Sequence, residues 1–151
     1  MRLREQMPEW DGKLIWMNSH PLKREDLLGD NPTLIHFWSE SCSLCKEAMP
    51  NINAFRKEYK DRLNVIAVHM PRSENDRDLK KIKKTADAYD ITHPLVIDND
   101  YKLTDAFANK YVPAYYVFDH EGKLRHFQAG GRGMTMLRKR IARILGIRTH
   151  A

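Results

Sequence analysis

Two cysteines, Cys42 and Cys45, stand three residues apart in the run Phe37-Trp38-Ser39-Glu40-Ser41-Cys42-Ser43-Leu44-Cys45-Lys46, and the chain holds no others. Thiols one helical turn apart close a disulfide with each other with little backbone movement. The chemistry that this spacing invites is attack of a thiolate on a disulfide, and its reversal. The apolar run Thr33-Leu34-Ile35-His36-Phe37-Trp38 before them reads as a buried strand. A helix is expected over residues 42–59, with Ala48, Ile52 and Phe55 on one face and Pro50 as a kink. Strand, loop and helix in that order put Cys42 at a helix N-terminus, where free amides and the macrodipole favour a thiolate. Cys42 is then the expected attacking sulfur, and Cys45, one turn deeper, the resolving one. Lys46 adds a positive charge beside the pair. A second reading stays open. Two cysteines are half of a tetrahedral zinc site, and the seven histidines offer further ligands. A copper site would need the two thiolates and a distant histidine, for which His69 and His93 are candidates.

Size and composition bound the rest. A chain of 151 residues with 42% hydrophobic and 30% charged residues fits one globular domain, expected over 1–151, with an extension at 1–30 and a core at 31–148. No apolar run reaches the 18 or so residues that a membrane helix needs, so no membrane partner is expected. The first ten residues carry charge but no apolar segment behind it, unlike a secretory signal. With Met1 as the natural start, a cytoplasmic location follows, where a lone CxxC is catalytic or metal-binding more often than structural. The net charge of +6 is concentrated in Arg132, Arg138, Lys139, Arg140, Arg143 and Arg148. Leu137, Ile141, Ile144 and Leu145 recur among them at helical spacing, which reads as an amphipathic last helix with a solvated basic face. No nucleic-acid motif accompanies it, so no nucleic-acid partner is expected.

The elements that must position the pair follow from periodicity. Short strands are expected near 13–17 and a helical turn near 23–28. Asn64-Val65-Ile66-Ala67-Val68-His69 is apolar almost throughout, as a central parallel strand is. A charged helix is expected over 76–89, a strand at 95–97, a helix at 103–110, and a strand at 114–118. The turn Asp119-His120-Glu121-Gly122-Lys123 leads to an antiparallel strand at 124–128. Alternating strands and helices ending in a hairpin give an α/β layered domain with a mixed sheet.

On these residues the chain resembles the thioredoxin-like superfamily. The run from Phe37 to Lys46 resembles the thioredoxin active-site segment, Pro50 falls where thioredoxins kink the following helix, and Val112-Pro113-Ala114-Tyr115-Tyr116-Val117-Phe118 looks like the strand that begins with a cis-proline. The added helix and strand between residues 76 and 97 are similar to the insertion of the TlpA/ResA branch. Within it, His69-Met70-Pro71-Arg72-Ser73-Glu74 and 111–118 most resemble the small soluble YkuV-type thiol–disulfide oxidoreductases. The resemblance implies a thioredoxin-like fold, a central mixed sheet flanked by helices with an N-terminal hairpin extension and an inserted helix and strand. It implies thiol–disulfide exchange, as a reductant, through Cys42 and Cys45, with no organic cofactor and no metal because the dithiol itself carries two electrons.

It also implies that Pro113 is the cis-proline and that Val112 offers backbone groups to substrate, with Trp38 and Ser41 as further substrate contacts. Expected partners are disulfide-containing proteins or small thiols and a reducing system of the thioredoxin-reductase type, with the protein a monomer serving cell redox homeostasis. Two departures stand out. His36 takes the place of a buried acid, and Ala48 that of a second one. His36 is therefore a candidate for proton transfer, or else a core histidine bonded to a carbonyl. The peroxidase chemistry found on the same fold is disfavoured, because Ser39 stands where its threonine would be.

Overall fold

Thr33–Trp38 is buried from end to end and forms β2, the strand from which the active segment departs. A computed structural model describes residues 1–10 and 13–147. Its other strands are β1 (Ile15–Met17), β3 (Asn64–His69), β4 (Leu95–Ile97), β5 (Ala114–Phe118) and β6 (Leu124–Ala129). They make one six-stranded sheet in the order β1-β4-β3-β2-β5-β6. β2, β3 and β4 run parallel, with His36 beside Ala67 and Trp38 beside His69. β1, β5 and β6 join antiparallel to their neighbours. The expected α/β class with a mixed sheet is what forms.

The helices are α1 (Ser43–Glu58), α2 (Leu79–Ala88), α3 (Lys102–Ala106) and α4 (Met134–Ile144), with short 3-10 turns at Arg24–Leu27 and Glu74–Arg77. α1 buries Cys45, Ala48, Met49, Ile52, Asn53 and Phe55, a stripe at helical spacing that lies on the sheet. Pro50 stands inside α1, which continues past it to Glu58. Alternation along β2 sends Ile35 and Phe37 to one face and Leu34, His36 and Trp38 to the other. Ile35 and Phe37 pack with Met7, Trp10, Leu103 and Phe107. On the opposite face Leu34 packs with Ile52 and Phe55 of α1 and with Leu137 and Ile141 of α4. Trp38 packs there with Cys42, Cys45, Met49, Ile82 and Ala86. In α4, Arg138, Lys139 and Arg143 point to solvent; Arg148, the last of the expected basic run, lies outside the described residues.

Four expectations need correction. Among the described residues the N-terminal extension supplies one strand, β1, on the far edge of β4, and no hairpin. Residues 4–6 of the extension lie at the other side of the sheet, where Arg4 N–H donates to the Leu124 carbonyl (2.7 Å), Leu124 N–H to the Glu5 carbonyl (2.9 Å), and Gln6 bridges Lys123. The two ends of the segment face different partners, so they have no means of pairing with each other. The helix expected over 76–89 starts only after Asp78, whose extended backbone and carboxylate, accepting from the amides of Lys80 (3.0 Å) and Lys81 (3.4 Å), cap α2. The helix expected over 103–110 ends at Ala106, and Ala108 takes a positive φ of 52°. α3 is held at its start by buried Asp98, whose carboxylate accepts from the amides of Leu103 and Thr104 and from the Thr104 hydroxyl. The strand expected to end at 128 runs one residue further.

Candidate active site

Cys42 is the N-cap of α1, with extended backbone angles and a sulfur that accepts from the Cys45 amide at 3.1 Å. The two cysteines are joined as a disulfide. No acidic residue stands in the first turn of α1 to oppose negative charge there. A thiolate on Cys42 therefore meets a directed N–H and the positive end of a 16-residue helix. Cys42 is 3% exposed and Cys45 1%. Leu44 between them is 49% exposed, and its side chain lies against Gly131, where a Cβ would come within 3.1 Å of it.

The loop before Cys42 is tied down residue by residue. Cys42 N–H donates to the Ser39 carbonyl (3.1 Å), and the Ser39 hydroxyl donates to the Met70 carbonyl. Glu40 N–H donates to Nε2 of His69 at 2.9 Å, and the Glu40 carboxylate accepts from the Thr85 hydroxyl at 3.3 Å. Glu40 thus reaches α2. His69 also packs edge-on to Trp38, with ring centroids 4.9 Å apart. Burial lowers its pKa to about 4, against the pull of Asp76. That neutral state suits a ring nitrogen whose lone pair is already engaged by an amide.

The expected substrate contacts divide. Ser41 is exposed beside Cys42, Pro113 is buried at the start of β5, and Val112, half-buried, packs against the cluster that holds both cysteines. The Val112–Pro113 bond is cis. Trp38 differs from them: it is 1% exposed, and its side chain packs with both cysteines in the core.

His36 is buried on the same face of β2 as Trp38. Its Nε2 lies 2.8 Å from Nε2 of His93, so one ring donates and the other accepts. Burial lowers the His36 pKa to about 3, and burial and the neighbouring His36 lower that of His93 well below the ordinary value. The histidine of the core is bonded to another histidine and not to a carbonyl. His69 and His93, the distant metal-ligand candidates, each have Nε2 engaged, by the Glu40 amide and by His36. Among the described residues no group of three or more His, Cys, Asp or Glu side chains is placed to hold a metal.

Sequence reasoning missed His93 as the partner of His36, and it missed Arg72 and Asp76. The Arg72 guanidinium donates to the Ser41 carbonyl (2.8 Å) and hydroxyl (3.1 Å), and that hydroxyl donates to Asp76 at 2.8 Å. The partners lie 31 to 57 positions apart in the chain, beyond any local periodicity. The one signal available was the segment 69–74 in the family resemblance.

Comparison with known proteins agrees with this geometry. The AhpC/TSA family model matches residues 3–127. The thiol-disulfide oxidoreductase YkuV of Bacillus subtilis is 63% identical over 145 residues, which cover 96% of this chain and 97% of that protein. The solution structure of a thioredoxin-like protein in the oxidized form is 62% identical, with a TM-score of 0.88 over 97% of this chain and 98% of that one. A DsbE-type thiol:disulfide interchange protein of Chlorobium tepidum shares the fold at 19% identity, with a TM-score of 0.85 over 97% of this chain and 99% of that one. By its matched sequence and its sheet, this chain belongs to the AhpC/TSA family of thioredoxin-like proteins.

Proposed function

We infer that this protein exchanges disulfides with its substrates through Cys42 and Cys45. The observation that carries the reading is the cysteine pair at the start of α1, with Cys42 as N-cap and the Cys45 amide aimed at its sulfur. The protein is a thiol–disulfide oxidoreductase. In the reducing direction the Cys42 thiolate attacks one sulfur of a target disulfide, and the other target sulfur leaves as a thiolate that takes up a proton. Cys45 then loses its proton and attacks Cys42, which releases the second target thiol. The target gains two electrons and two protons, and the protein is left with the Cys42–Cys45 disulfide. The place of Cys45 inside the first turn of α1, behind the N-cap sulfur, supports its role as the resolving thiol.

The substrates are disulfide-containing proteins, and we extend them to small thiols. Ser41, the Val112 backbone and Pro113 are the contact residues we assign, on their position around the pair. We further propose that the protein works as a monomeric reductant in the cytoplasm, without metal or organic cofactor, within cell redox homeostasis. A thioredoxin-reductase-type partner would recycle it. For His36 we propose relay and not storage of a proton. A neutral imidazole that takes a proton on one nitrogen must shed the one on the other, and His93 stands at that nitrogen. Exchange rates of His36→Ala followed against pH test this, and an unchanged profile removes it.

A redox titration with thiol alkylation, run with and without zinc, tests the whole reading. A reversible two-electron transition indifferent to zinc is the expected result, and a midpoint near that of thioredoxin supports the reducing direction. Thiols tightly protected by zinc, with no reversible disulfide, would overturn it in favour of a zinc- or copper-binding module.

A further inference from the structure

We propose that Arg72 and Asp76, joined through Ser41, are opposed positioning residues that set how readily Cys42 ionises, Arg72 promoting the thiolate and Asp76 restraining it. The proposal rests on Cys42 being the attacking sulfur. The Arg72 guanidinium binds the Ser41 carbonyl (Nη2, 2.8 Å), which belongs to the very peptide unit that supplies the Cys42 amide. It also binds the Ser41 hydroxyl through Nη2 (3.1 Å) and Nε (3.2 Å). That hydroxyl is left with one proton, which it donates to Oδ2 of Asp76 at 2.8 Å. The same carboxylate oxygen accepts from the Arg72 backbone amide at 2.8 Å. A positive and a negative group are thereby fixed on one serine, immediately before the sulfur.

The two charges differ in setting. Asp76 is 1% exposed, so water screens it weakly, whereas Arg72 lies on the surface. Its carboxylate is also near enough to pull on His69, whose ring holds the Glu40 amide two residues before Cys42. No hydrogen bond to the loop requires a full charge at Asp76, since a neutral carbonyl would accept both bonds. Other charged groups on the segments that meet at the pair include Glu40, Lys46 and Glu47 on its own stretch, His69 at the end of β3, Lys81 and Lys84 on α2, Lys110 before Val112 and Arg132 after Gly131. All of them are unchanged by the substitutions that follow.

The test titrates the Cys42 thiolate by pH-dependent alkylation in Arg72→Gln, Arg72→Lys and Asp76→Asn, and measures each reduction potential. Arg72→Gln is expected to raise the Cys42 pKa by about half a unit to one unit and to make the potential more negative. Asp76→Asn is expected to move both quantities the other way, because loss of the restraining charge favours the thiolate and hence the reduced form. Arg72→Lys keeps the charge without the fork and is expected to stay closer to the parent than Arg72→Gln does. A network that only braces the loop would shift Arg72→Gln and Asp76→Asn in the same direction, or neither, and either result overturns the proposal. Failure of the underlying reading is separate: it would show as a parent protein whose Cys42 is not ionised near neutral pH.

Discussion

Two sulfurs with similar covalent chemistry are given different work by position. Cys42 is the N-cap of α1 and receives the Cys45 amide, while Cys45 stands inside the first turn of the helix. Cys42→Ser is expected to abolish disulfide exchange, whereas Cys45→Ser should still attack and then stall as a mixed disulfide, visible as a mass adduct on the intact protein. A Cys45→Ser protein that turns over normally would refute the division of labour. His36 shows what sequence leaves open at this scale. Its type and position were legible, but its partner was not, because His93 approaches from 57 residues away. Trp38 shows the same limit from the other side. An aromatic beside a reactive pair reads equally well as a surface contact or a floor, and only the turn of β2 decides that it is the floor.

Elements were legible where a single period ran uninterrupted. β2, β3, β4 and β5 have the bounds that their apolar runs imply, and α1 follows its stripe from Cys45 to Phe55. Boundaries slipped where a side chain competed with the backbone, as Asp78 does by ending one turn and capping the next. The β5–β6 hairpin is set by a more demanding residue. Gly122 has a φ of 77°, and a Cβ there would stand 2.5 Å from Leu28 Cδ2 and 2.6 Å from Gln6 Nε2. Gly122→Ala combines left-handed strain with that crowding and is expected to cost about 1–3 kcal/mol, measured by urea unfolding. At the start of α3, Asp98→Ala strands two amides and a hydroxyl inside the protein. The expected loss there is about 2–3 kcal/mol, with faster amide exchange across α3 than elsewhere.

At the scale of the whole molecule, three histidines among the described residues are buried, His36, His69 and His93, held neutral by burial. In the unfolded chain each takes up a proton below about pH 6.5. Between that pH and about 4 the unfolded state binds more protons than the folded one, so stability rises with pH across this window and is lost as the pH falls. From pH 6.5 to 5 His36 and His69 each contribute a loss of about 1.6 kcal/mol, and His93 adds to it in the same direction, so the urea midpoint at pH 5 is expected well below that at pH 7. Equal midpoints would mean that the rings are charged in the fold. The N-terminal segment acts at the same scale. It pairs with Leu124, the first residue of β6, at residues 4 and 5, packs Met7 and Trp10 against Ile35 and Phe37, and lines β4 with Ile15–Met17. The segment therefore pairs the β4 edge through β1 and reaches the opposite edge at Leu124; without β1 the amides and carbonyls of β4 would invite a second molecule. Removal of residues 1–18 should leave the cysteine segment in place yet produce concentration-dependent self-association on size-exclusion chromatography. What keeps the β4 edge from a second molecule is thus a stretch of chain far in sequence from the two cysteines.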